Sequence, residues 1–158
     1  MTVLVCLVMM IVVMFVGASA ARLSLQGEQA ARGGRDRELA FQAAEDALAD
    51  AERDIQYGTA TVADGACGVA IVWQRVDLAG VADSGACTTA YGDSTDAPMR
   101  VGEGVLPFKK PRYVIERMHC HQPGDDAAEP ASCYRVTAIG FGPRPGVEVV
   151  LQTVFVPE

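Results

Sequence analysis

The first 21 residues, MTVLVCLVMMIVVMFVGASAA, carry no charged side chain, and the first charge in the chain is Arg22. That length matches the ~20 apolar residues an α-helix needs to cross a bilayer at about 1.5 Å per residue. A secretory signal has a basic start, an apolar stretch of about 7–15 residues and small residues before the cut. Ala18-Ser19-Ala20 imitates such a cut, but the basic start is missing and the apolar run is too long. Retention is the better reading, and removal at the mimic is the weaker one.

No Pro-rich or Gly/Ser-rich linker follows. ARLSLQGEQAARGGRDRELAFQAAEDALADAERDIQYG reads as helix almost to Gly58. Leu39, Ala43, Ala47, Ala51 and Ile55 recur every fourth residue, and Ala44 and Leu48 widen the stripe. Arg37, Asp46, Asp50 and Arg53 are assigned to the other side. Alanine favours helix, whereas each glycine of Gly33-Gly34 costs about 1 kcal/mol relative to Ala, so a bend or flexible joint is expected there. Tyr57-Gly58 is the expected stop, with Gly taking the left-handed cap.

The chain therefore divides into a helix over residues 1–56 and a β-rich globular part over 57–158. The helix has an apolar segment, 1–22, and an amphipathic half, 23–56, and is on the order of 80 Å long. Its second half can pack on a domain while its first half protrudes. A protruding apolar helix can stay in a bilayer as an anchor with a stalk, or bundle with similar helices after leaving it. Both readings stand on physics alone.

The remainder is polar and acidic. Twenty acids against 13 bases give a net charge of −7, which argues against a nucleic-acid partner, since phosphate binding needs a basic stripe. Cys67, Cys87, Cys120 and Cys133 follow the membrane-length segment, which points to an oxidising compartment and two disulfides. Three connectivities are open. Sequence neighbours give the simplest, Cys67 with Cys87 and Cys120 with Cys133, each worth roughly 3 kcal/mol in the chain-entropy account. Cys6 reads as a thiol within the apolar helix.

In the globular part, Val69 to Val76, with Trp73, reads as a strand, and the rest of 57–111 as a variable loop region. Beyond it RYVIERMHC, CYRVTAIGFG and GVEVVLQTVFVP alternate with period two, as strands with one buried face do. Gly142-Pro143-Arg144-Pro145-Gly146 is a turn between the last two. A long N-terminal helix on an antiparallel sheet of three or four strands is an α+β arrangement.

Two stretches carry a family resemblance. RDRELAFQAAEDALADAE, residues 35–52, resembles the segment after the membrane helix in PilX-type minor pilins of type IV pili. YRVTAIGFGPRPGVEVVLQTVF, residues 134–155, resembles that family's closing strands. The resemblance covers residues 1–56 and about 112–156, and Ala40 to Glu45 is its most specific part. It implies a type IV pilin-like fold and a minor pilus subunit inserted in the inner membrane, with its domain in the periplasm. It also implies a complex with other minor pilins that primes assembly and sits at the fibre tip, with a tip adhesin as a further partner.

The resemblance further implies helix packing through Val5, Leu7, Ile11 and Phe15, and helix–domain packing through Leu39, Ala43 and Leu48. Two departures stand out. The short basic leader ending in Gly is not in the sequence, which reads either as a mature form or as a misplaced start. Most pilins have Glu five residues into the mature chain, where this chain has Val5 if Met1 comes first. A carboxylate in lipid is costly unless it is paired, for example with a neighbour's terminal amine. Val5 therefore fits a capping or initiating subunit better than a repeating one.

Chemical motifs are sparse. His119-Cys120-His121 with Cys133 has zinc-like residue types, but a Cys120–Cys133 bridge with two exposed histidines is the stronger reading. Asp93, Asp96, Asp125, Asp126 and Glu129 supply oxygen for calcium, yet no Asp-x-Asp-x-Asp-Gly pattern is present, so solvated loop acids are favoured. No nucleophile-elbow, phosphate-loop or zinc-protease motif occurs. The expectation is a non-enzymatic subunit without a cofactor. The alternatives are a minor pseudopilin of a type II secretion system and a membrane-anchored periplasmic module whose 57–111 region binds a ligand.

Overall fold

The structure, a computed structural model, describes residues 1–63, 67, 72–74, 77–79, 87–99, 106–120 and 131–157. It contains a helix, α1 (Thr2–Tyr57), and the strands β1 (Thr89–Ala90), β2 (Arg112–Cys120), β3 (Ala131–Phe141) and β4 (Glu148–Phe155). Two compact units divide the chain, Met1–Arg35 and Asp36–Glu158.

The first unit is helical from Thr2, and every described side chain in it is exposed. Its apolar part is long enough and apolar enough to cross a membrane. Helical hydrogen bonding continues through Gly33-Gly34, where a bend was expected. Nothing lies within 4 Å of a Cβ placed on either glycine. The propensity loss of about 1 kcal/mol per Gly is smaller than the cost of ending one helix and nucleating another.

In the second unit the remaining turns of α1 bury Leu39, Ala40, Ala43, Ala44, Ala47, Ala51 and Ile55. The helix stops at Tyr57, and Gly58 takes a φ of 69°, the left-handed cap expected from sequence. The sheet is antiparallel in the order β1-β2-β3-β4. Its register places Tyr113 opposite Ala138 and Ile115 opposite Val136 between β2 and β3. Ala138 then faces Leu151, and Tyr134 faces Phe155, between β3 and β4. Tyr113, Ile115, Val136 and Ala138 form a core with Ala47, Ala51 and Ile55 of α1. Small residues bring helix and sheet close: a Cβ on Gly140 would collide with the backbone of Ala40 and Ala44.

Two expectations are corrected. β2 and β3 do not have a single buried face. Val114, Ile139 and Phe141, on the side away from α1, are buried with Ala63 and Leu78, and with Cys67, Trp73 and Cys87 packed against them. The stretch between helix and sheet thus supplies a second core layer. Within Val69 to Val76, Val72–Gln74 form a 3₁₀ turn; the flanking residues of that expected strand lie outside the described residues. A short continuous apolar run has no period of its own, so it does not separate a strand from a buried turn. The expected turn at Gly142 to Gly146 joins β3 to β4, with Gly146 at a φ of 87°.

Candidate functional site

The polar groups that organise the second unit come from the apolar stripe of α1 itself. Asp36, Ala43, Ala47, Asp50 and Asp54 are separated by steps of three, four or seven residues, which puts them on one helical face. All five are buried, so Asp50 is not on the solvent side assigned to it from sequence. Of the residues assigned there with it, Arg37 is exposed and Asp46 and Arg53 are half-buried. The spacing was the available signal; the charge of aspartate outweighed it.

Each buried carboxylate is tied to a different element. Asp36 accepts from the guanidinium of Arg144 in the β3–β4 turn, with Nε at 2.7 Å. Asp50 accepts the Gly92 N–H at 2.8 Å, the Thr95 hydroxyl and Arg53 Nη2 at 3.3 Å, holding the turn after β1. Asp54 accepts the Tyr113 hydroxyl from β2 and the Thr59 hydroxyl at 3.1 Å. Burial, and secondarily Asp54, push the Tyr113 phenol far above its ordinary range. Burying a charge is costly unless hydrogen bonds replace its water, and these bonds do so. They make α1 a polar clamp as well as an apolar spine.

On the sheet face away from α1, Arg135 Nε donates to buried Glu116 at 3.0 Å, and Gln152 donates to Thr137 at 2.8 Å. Phe108 meets Phe141 edge to face at 5.5 Å, and Lys109 lies over the same ring. These carboxylates and hydroxyls are engaged in holding the unit together.

The four cysteines outside the apolar run stand in pairs. Cys67 and Cys87 have Cα atoms 5.6 Å apart and are bridged, as are Cys120 and Cys133 at 5.9 Å. Cys6 is a free, exposed thiol. His119 is exposed at the end of β2, and His121 lies outside the described residues. Of the calcium candidates, Asp93 is exposed 3.9 Å from Lys110 and Asp96 is exposed. Asp125, Asp126 and Glu129 lie outside the described residues. Among the described residues no group of three or more metal-ligating side chains is assembled.

Val5, Leu7, Ile11 and Phe15 are all exposed, Phe15 at 71%. Leu39 and Ala43 are buried together with Met99 packed on them, and Leu48 packs at the edge of the main core. The site residues named from sequence thus fall into an exposed apolar set in the first unit and a packed set in the second.

Residues 36–157 match the family model described as type IV pilus assembly protein PilX, C-terminal part. No curated protein and no solved structure matches the chain.

Proposed function

The chain belongs to the PilX family of type IV pilus assembly proteins, and from that premise we propose that it is a minor pilin acting in the complex that primes the pilus and stays at or near its tip. The observation that carries this reading is the family match over residues 36–157, joined to a preceding helical segment of membrane-spanning length.

In this reading the first unit anchors the chain in the inner membrane, and the second lies in the periplasm, where the two cysteine pairs are oxidised. The helix satisfies its own backbone hydrogen bonds in lipid. Residues 1–21 hold no charged side chain, so passage from lipid into a bundle of similar helices desolvates no ion. Side-chain packing then drives association, through the exposed set that includes Leu7, Ile11 and Phe15. The second unit offers lateral contacts to other minor pilins and to a tip adhesin. No step of this role requires bond chemistry or a cofactor.

Deletion of the chain tests the reading. Loss of surface pili and twitching motility, restored by the full chain, supports it. Loss of protein secretion with pili intact would instead assign the chain to a type II secretion system.

A further inference from the structure

β4 is the open edge of the sheet: β3 pairs with it on one side, and none of the described residues pairs with it on the other. The direction of its free groups follows from the ladder. Gly142 N donates to Val147 O at 2.8 Å, so Gly142 and Val147 form a hydrogen-bonded pair in register with the β3–β4 partners. Such pairs alternate with non-bonded ones in an antiparallel ladder. Val149, Leu151, Thr153 and Phe155 therefore bond to β3, while Glu148, Val150, Gln152 and Val154 turn their N–H and C=O groups outward. The same four residues have exposed side chains, with Val150 at 55% and Val154 at 52%.

Edge strands are ordinarily blunted by lysine, proline, a bulge or shortness. β4 has none of these: it runs for eight residues in continuous register, without Lys or Pro. A row of outward amides and carbonyls on an edge in unbroken register is satisfied fully by an extended backbone, which names the class of occupant. The geometry points to β4 as a docking edge for an extended segment of another pilus subunit, which adds a fifth strand to this sheet. This rests on the minor-pilin reading.

Side chains on both sides of the edge define the partner further. Val149, Leu151 and Phe155 are half-buried on the α1 side, and Val150 and Val154 are exposed on the other. The added strand is apolar on both faces, rich in β-branched residues, with a lysine or arginine beside Glu148. A second copy of this chain does not fit. Its own β4, EVVLQTVF, holds no lysine or arginine to set beside Glu148.

The test uses the full chain in piliated cells, with a photo-crosslinking amino acid at Val150 and, as a control, at Arg117 of β2. The expected result is a cross-link from position 150 to an extended segment of another pilus subunit, located by sequencing the joined peptides. Val154→Pro removes an outward N–H and leaves the β3 bonds intact, and should lower that yield at least tenfold at unchanged protein level. Val150→Lys, which keeps every backbone donor, should lower piliation without the crosslinker. A product with a second copy of this chain, one with a helical segment, no product, or a yield indifferent to Val154→Pro overturns the inference. If deletion abolishes pili while both variants restore them, the edge proposal falls and the minor-pilin reading stands. If deletion leaves pili intact, that reading itself falls.

Discussion

The Tyr113 hydroxyl donates a hydrogen bond to the Asp54 carboxylate in the seam between α1 and β2, where both side chains are fully buried. Tyr113→Phe keeps the ring in the core but takes one donor from a carboxylate left with Thr59. Withdrawing one hydrogen bond from a buried charge costs about 1–3 kcal/mol. Urea unfolding of the full chain in detergent at pH 7 measures it, and a midpoint equal to that of the parent would show that the bond carries no stability.

The same pair sets a response to alkali. Burial first, and then Asp54, raise the Tyr113 phenol above the usual value near 10. The folded chain keeps this proton where the unfolded chain releases it, so the contribution is fully present below pH ~10. It falls as pH rises beyond that, at up to ~1.4 kcal/mol per pH unit. Tyr113→Phe lacks this term. The variant should start less stable at pH 7 and lose stability less steeply between about pH 10 and 11.5. Parallel slopes in that window would refute the assignment.

Asp46 and Asp50 lie one turn apart on α1 and should respond very differently to removal. Asp50→Ala strands the Gly92 N–H and the Thr95 hydroxyl in a part-buried site, at a cost of about 1–3 kcal/mol for each unsatisfied group. The loss concentrates in the turn after β1. Hydrogen exchange at the Gly92 amide should accelerate at least tenfold, more than at Val136 in the sheet core. Asp46→Ala, at a half-exposed position, should change stability by no more than about 0.5 kcal/mol. Equal effects at the two positions would contradict the clamp.

What the sequence discloses follows from periodicity. The stripe from Leu39 to Ile55 and the alternation from Tyr113 to Phe155 each repeat often enough to fix an element and its α1-facing side. Asp50 was misplaced because amphipathic reasoning sends charge to solvent, whereas two of its hydrogen bonds come from Gly92 and Thr95, more than 40 positions away. Val114, Ile139 and Phe141 looked like a solvent face because their cover, Ala63, Leu78 and Trp73, comes from a stretch without period. The open edge at β4 was equally hidden: strand order is a property of pairing, which alternation within one strand does not encode.

Gly140 and Gly34 make opposite demands on the same substitution. At Gly140 a methyl group meets the backbone of Ala40 and Ala44, which cannot move aside as a flexible side chain would. Gly140→Ala must push α1 off β3, and overpacking of this kind costs about 1–3 kcal/mol or more. At Gly34 nothing lies within 4 Å and the backbone is already helical, so Gly34→Ala gains about 1 kcal/mol of helix propensity. Thermal unfolding should show Gly140→Ala markedly less stable than the parent. Amide exchange across residues 30–37 should slow in Gly34→Ala. If Gly140→Ala unfolds like the parent, the close approach of helix and sheet is wrong. If exchange in Gly34→Ala does not slow, helix propensity does not limit opening at that point in α1.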